Sequence, residues 1–499
     1  MHGWLGHSWR GTSGHALGSD DAFISYRYAQ NLFDGHGLVF NIGERVEGYS
    51  NFLYTLLVTP AFLLGAEYVY VFSLTLNALL AAAAIWVFWG YTNKTLGLLS
   101  ANMGALILAL NPWIWVNVAT GLETALVLLI TVATWVSVAT LCKGPHGGAL
   151  WTLAGLCVLS MLSRVDGFIL PIGACLFLAL KDRPRSALTL ALLVVGVMGL
   201  YTLARLAYYD DVIANTYYNK VSGDLIIRIQ NGIQFLWQYA LQTGLLLAFV
   251  VLVIRLISTR SIVGFIEETD FAAFFVLMWS AYLIYIGGDV YYERFLIAIL
   301  PLGLFVVLAW VRPFLTLNWV TWVAVLALAV PPIWFASQDG RFEYDAPKYD
   351  FWPKYDFWVE TGKFLKEKHP NAVLAIDASG KVPYFSELMT IDMLGLNDKH
   401  IGKMNVNDTK FVQGHMKFDP DYVLGRSPDL IAAWFKKDLN FAWGITVERY
   451  RESYDIAYVV NPSRKSLGEN NIIDVGGMED ETIKSLISEG YLYGILKKR

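Results

Sequence analysis

Between residues 52 and 336 one apolar stretch follows another, with few charges inside any of them. Runs of this kind leave the chain few choices. In hydrocarbon the main-chain N–H and C=O groups must be satisfied within the segment, so such runs fold as helices that cross or line a bilayer. Ten segments read as spanning helices: 69–91, 98–116, 122–142, 149–163, 168–180, 186–207, 235–257, 270–287, 294–311 and 315–336. The two short ones, 149–163 and 168–180, are separated by Arg164 and Asp166 and can also be read as one broken hairpin. Segment 52–65 contains Pro60 and ends on Gly65, which fits an in-plane or re-entrant helix better than a span. Charged residues make up 16% of the chain, against roughly 25% in soluble domains, and the mean hydropathy is +0.45.

Basic residues orient the segments, because short cytoplasmic loops are enriched in Lys and Arg. Alternate connections carry Lys94, Lys143, the run Lys181 to Arg185, Arg255 with Arg260, and Arg312. Those loops read as cytoplasmic. The N-terminal segment, the turns at Glu123 and Arg164, the segment Asn215 to Gly223, the turn Gly287 to Arg294 and everything after Ser337 then fall outside. Residues 1–19 lack an apolar core and do not read as a signal peptide. The expected organisation is a membrane-embedded module over 1–336, with a first external loop of about 1–68, and an extracytoplasmic α/β domain over 337–499. In that domain Lys354 to His369 reads as an amphipathic helix ended by Pro370. Ala372 to Ile376, Thr390 to Met393, Tyr422 to Leu424 and Ile456 to Val460 carry β signals. Asp377-Ala378-Ser379-Gly380-Lys381 lacks the glycine spacing of a phosphate loop and reads as a strand-to-helix turn. A net charge of −4 gives no reason to expect nucleic acid, and Cys142, Cys157 and Cys175, all in apolar runs, read as small buried hydrophobes.

The polar chemistry concentrates near the start. Asp20 and Asp21 open the stretch Asp20-Asp21-Ala22-Phe23-Ile24-Ser25-Tyr26-Arg27-Tyr28, and Arg45 and Glu47 follow in Gly43-Glu44-Arg45-Val46-Glu47-Gly48-Tyr49. Carboxylates beside a membrane can take a proton from a sugar hydroxyl, and arginines can hold a phosphate; a solvated loop with a helix cap at either acid is the plainer alternative. Further ionisable residues stand at helix ends on the same side: Glu123, Arg164, Asp166, Lys220, Asp289, Glu293 and Arg294. Such groups are costly at membrane depth, and a shared cavity explains so many of them more economically than separate salt bridges.

These motifs, together with Gly121-Leu122-Glu123-Thr124, Ser163 to Gly167, Asn215 to Lys220, Gly287 to Phe295 and Asp392 to Asp398, resemble GT-C glycosyltransferases. The resemblance is nearest to the mycobacterial terminal arabinofuranosyltransferases and the related pilin arabinosyltransferases. It implies an enzyme of the bacterial plasma membrane that moves a sugar, arabinofuranose or similar, from a polyprenyl-phosphate donor to a cell-envelope glycan or protein on the extracytoplasmic face. It also implies a spanning helix ahead of the first loop, where this chain has only 19 residues without an apolar run. Carried over, Asp20 is the expected general base and Asp21 its supporting partner. Arg27, Arg45, Glu47, Glu123, Arg164, Asp166, Lys220, Asp289 and Arg294 are the residues expected to bind donor phosphate and sugar. A divalent cation is an alternative partner for the phosphate, since carboxylates favour hard ions. A transporter would use the same charges for ion coupling but is expected to show inverted repeats, and none is seen. An envelope assembly protein would have no use for paired acids at the membrane edge.

Overall fold

The computed structural model describes residues 18–144, 148–220, 224–259, 270–289, 293–315, 318–339, 356–405, 415–462 and 471–499. Residues 1–17, Arg260 and the side chain of Lys220, all used above, lie outside them. Helices fill the chain as far as Ser337, and a small sheet domain follows.

Among the described residues three helices are long and apolar enough to cross a membrane: Ala66–Leu96, Thr124–Lys143 and Pro184–Tyr209. Two more segments reach that length only as bent pairs, Leu98–Leu110 with Pro112–Ala119 at 48°, and Leu225–Thr243 with Leu246–Thr259 at 108°. The other apolar helices, among them Ala149–Ser163, Phe271–Ile286 and Leu300–Phe314, have 10–17 residues. Helix therefore occurs in each of the ten expected segments, but among the described residues at most five, counting the bent pairs, reach spanning length, and 235–257 is bent by 108°. Gly244 takes the left-handed φ of +85° that ends the first helix of that pair and turns the chain. Pro112 at the start of Pro112–Ala119 lacks the N–H that would continue the preceding helix, and Asn111 caps the new one by accepting from Trp113 N. Segment 52–65 forms the short helix Phe52–Val58 and a 3₁₀ turn Thr59–Leu63, in keeping with the in-plane reading. Leu188, Leu192, Val195, Leu200 and Leu203 stand exposed along Pro184–Tyr209, as a lipid-facing helix requires. Cys157 is buried, Cys142 and Cys175 are partly so, and all three are free thiols.

The C-terminal domain is a six-stranded sheet with strands β1 Val373–Ile376, β2 Met389–Asp392, β3 Leu430–Trp434, β4 Tyr454–Val460, β5 Ile472–Asp474 and β6 Tyr493–Lys498. The order is β2-β1-β3-β6-β4-β5, parallel across β2-β1-β3 and antiparallel beyond. The expected amphipathic helix is Phe357–Lys368, capped by Asp356. Tyr422 to Leu424, expected as strand, is helical: Pro420 sits at the first helical position and Asp419 caps the turn by accepting from Tyr422 N. The hydrophobic core of the bundle continues through Ala22, Phe23 and Tyr26 to Val359 and Tyr384, so one apolar interior joins the two halves.

Candidate active site

The helix Asp20–Phe33 lies between the bundle and the sheet domain, and its residues sort by face. Asp20, Phe23 and Arg27 fall at i, i+3 and i+7 and meet the C-terminal domain. Both Asp20 carboxylate oxygens accept main-chain N–H bonds, from Gly380 at 3.1 Å and from Lys381 at 2.7 Å, at the start of the short helix Lys381–Ser386. Gly380 permits this approach: a Cβ there would stand 1.9 Å from the Asp20 carbonyl oxygen. Phe23 packs edge-on against Tyr384. Arg27 donates to the carbonyl oxygens of Phe40 at 2.7 Å, Leu388 at 2.6 Å and Pro383, and lies over the Phe40 ring. Burial pulls its guanidinium down to about 10. Asp20 and Arg27 do share a side, as their spacing predicts. That side is a joint between domains, and the donors of Arg27 are committed to carbonyls instead of a phosphate.

Asp21 points about 100° further round the helix, on the face it shares with Ser25 and Tyr28 at i+4 and i+7. It is half-buried and makes no side-chain hydrogen bond or ion pair among the described residues. A chain of contacts starts beside it. Ser25 donates to Asn51 Oδ1 at 2.9 Å, Asn51 Nδ2 donates to Glu123 Oε2 at 2.9 Å, and Arg164 Nη1 donates to Glu123 Oε1 at 3.0 Å. Arg164 also grips Asp166 in bidentate fashion, at 2.8 and 3.1 Å. The guanidiniums of Arg164 and Arg294 lie 4.2 and 5.2 Å from the centroid of the Phe295 ring. Arg294 is paired with Asp289 at 2.5 Å, and Asn117 donates to Glu293 at 2.8 Å. A small cavity beside Arg164 and Asp166 is lined further by Thr131, Ser160 and Trp279. Glu123, Asp166, Glu293 and Arg294 are all buried. Charges removed from water in this way persist only when matched and hydrogen-bonded, as Glu123, Asp166 and Arg294 are.

Five of the expected residues thus converge: Glu123, Arg164, Asp166, Asp289 and Arg294. Glu47 and Arg45 are placed elsewhere. Glu47 is buried with Arg205, whose Nε lies 2.7 Å from Oε2 but off the hydrogen-bonding direction, and burial pushes the Glu47 carboxyl up to about 7. Arg45 is exposed and lies over the Tyr208 ring. Asn215, from the motif that contains Lys220, fastens the C-terminal domain, its Nδ2 facing the carbonyls of Gly395, Leu396 and Asp398, while Thr216 donates to the carbonyl of Gly48 in the first loop. Among the described residues no three His, Cys, Asp or Glu side chains are grouped to hold a metal ion. Glu123, Asp166 and Asp289 are engaged by arginines, whereas Asp21, among the described residues, is not. Asn51 and Asn117 were missed as site residues; the available signal was a polar amide within or beside an apolar run.

Compared with known proteins, residues 350–465 match a domain of unknown function (DUF8728). No curated protein matches the chain by sequence. Among solved structures the chain is similar to the crystal structure of an Archaeoglobus fulgidus oligosaccharyltransferase in complex with Zn and sulfate, with a TM-score of 0.53 and 12% identity, covering 92% of this chain and 70% of that one. The chain therefore shares the fold of that structure; in this chain a bundle of apolar helices bears a C-terminal sheet domain.

Proposed function

We propose that this protein is a membrane glycosyltransferase that moves a sugar, arabinofuranose first among the candidates, from a polyprenyl-phosphate donor to a cell-envelope glycan or protein. The domain after Ser337 and the charged cluster are assigned to the extracytoplasmic face, in line with the alternation of basic loops. The observation that carries the reading is the hydrogen-bonded chain from Ser25 through Asn51 to Glu123 and Arg164, which begins one helical turn from Asp21 on the same face of the first helix. A fold shared with an oligosaccharyltransferase supports it.

In this mechanism an acceptor hydroxyl attacks the anomeric carbon, a new glycosidic bond forms, and the bond to the lipid phosphate breaks. Asp21 takes the hydroxyl proton. Its carboxylate is uncommitted, whereas Asp20 already accepts two N–H bonds, so the base is assigned to Asp21 and the docking of the C-terminal domain to Asp20. Arg164 and Arg294 are the cations assigned to the leaving phosphate, each exchanging a carboxylate partner for it as negative charge develops there. Their paired acids keep them ionised and fixed in direction. The docked domain roofs this end of the bundle and contributes to acceptor recognition.

The test is incubation of the purified protein in lipid nanodiscs with radiolabelled polyprenyl-phosphate sugars, arabinofuranose first, followed by product analysis. Time-dependent transfer that disappears in Asp21→Asn is expected. Absence of transfer from every such donor by folded protein overturns the reading.

A further inference from the structure

The helix Leu225–Thr243 has three distinct faces. Arg228, Gly232, Phe235, Tyr239 and Thr243 turn toward the bundle: Gly232 lies against the main chain of Ile284, and Phe235 against Gly288. Ile226, Ile229, Ile233 and Trp237 form an exposed apolar stripe. Gln230, Gln234 and Gln238, spaced by four, stand exposed on the remaining side, together with Ile227 and Leu241. A helix with one side for protein, one for hydrocarbon and one for water lies flat at a membrane surface. The 108° turn at its end, after which Leu246–Thr259 runs on, fits that placement.

Arg228 is the cation on the bundle face. Its guanidinium stands 5.1 Å from the centroid of the Tyr285 ring. Its Nε is buried without a hydrogen-bond acceptor, and it makes no ion pair among the described residues. The other arginines of this region behave differently, since Arg164 and Arg294 each hold a carboxylate. A guanidinium offers five N–H donors, and burying part of it unpaired is costly, so the position calls for an anion. Phosphate is the anion carried by membrane lipids at this level. Tyr285 precedes the Gly287-Gly288-Asp289 turn, and Asp289 pairs with Arg294 of the charged cluster. Arg228 therefore stands at the side of the site, where a lipid would enter.

We infer that Arg228 binds the phosphate of the polyprenyl carrier at the lateral entrance to the site; the inference rests on the glycosyltransferase reading. It is a binding residue that takes no part in the proton transfer. The probe is radiolabelled polyprenyl monophosphate, bound to the full chain in phosphatidylcholine nanodiscs, with no sugar transfer required. Arg228→Gln should weaken binding roughly 10- to 100-fold, the value of hydrogen bonds to a charged group. Arg228→Lys should recover part of the loss, and Gln230→Ala should change nothing. Phosphatidylglycerol in excess should not displace the probe. Unchanged affinity in Arg228→Gln overturns the inference. Equal displacement by phosphatidylglycerol also overturns it, and marks a general anionic-lipid contact. Arg228-dependent binding by a protein that transfers no sugar would refute the proposed function and leave this site standing.

Discussion

Replacing Asp20 by Ala separates docking from catalysis. The carboxylate accepts from Lys381 N at 2.7 Å and from Gly380 N at 3.1 Å. A hydrogen bond to a charged acceptor contributes about 1.5–3 kcal/mol, the longer one at the low end. The two N–H groups open the helix Lys381–Ser386 and would be left without this cap. Their joint loss should cost about 3 kcal/mol, which is roughly 100-fold in the equilibrium between closed and open joint. Arg27, Asn41 and Asn215 still tie the domain down, so it loosens without detaching. Hydrogen exchange read by mass spectrometry on peptides covering 380–388 should speed up by about that factor, while β3 and β6 keep their protection. Asp20→Asn retains a side-chain carbonyl and should fall between. Exchange that stays at the wild-type rate in Asp20→Ala, with transfer abolished, would refute the reasoning and return Asp20 to the role of base.

The other expectations concern the cluster and the sheet domain. Asp21→Asn should lower transfer by about 10²–10⁴-fold, the usual loss of a general base, with no change in unfolding temperature because Asp21 holds nothing in place; a turnover assay beside a thermal melt checks both. Arg164→Gln leaves the buried Glu123 and Asp166 without their cation and should cost about 3–5 kcal/mol, read as a lowered midpoint in a thermal melt; an unchanged melt would show that the acids find other partners. Asp377 accepts from Trp443 Nε1 and Tyr493 Oη, yet burial pushes its carboxyl up to about 6. A carboxyl raised on folding contributes stability below its unfolded value of about 4 and loses it as pH climbs through 6. The stability of Asp377→Asn relative to wild type should therefore rise by about 3 kcal/mol between pH 4 and pH 7, measured by denaturant unfolding, and a difference flat with pH would count against the buried charge.

The helices were legible in the sequence because apolar runs of membrane length have few alternatives. The turn at Gly244 was not, since the run from 235 to 257 is apolar on both sides of it. Gln230, Gln234 and Gln238 carried the signal of a surface helix, but two of the three fall before that run and the third among its first residues. In the sheet domain β1, β2 and β4 could be read, while β3, β5 and β6 were passed over. The charged cluster was visible as ionisable residues at helix ends. The docking contact of Asp20 was not, because its partner lies 361 residues away. No local pattern encodes such a partner.

That separation has a consequence for the order of manufacture. Asp20 leaves the ribosome long before Gly380 and Lys381 exist, and at about 5–20 residues per second the gap lasts roughly 20–70 s. During that interval the first helix must wait beside the growing bundle with its acids and Arg27 uncovered. Closure is then the last step of synthesis, and a chain stopped short of the sheet domain inserts its helices but never seals the chamber above them.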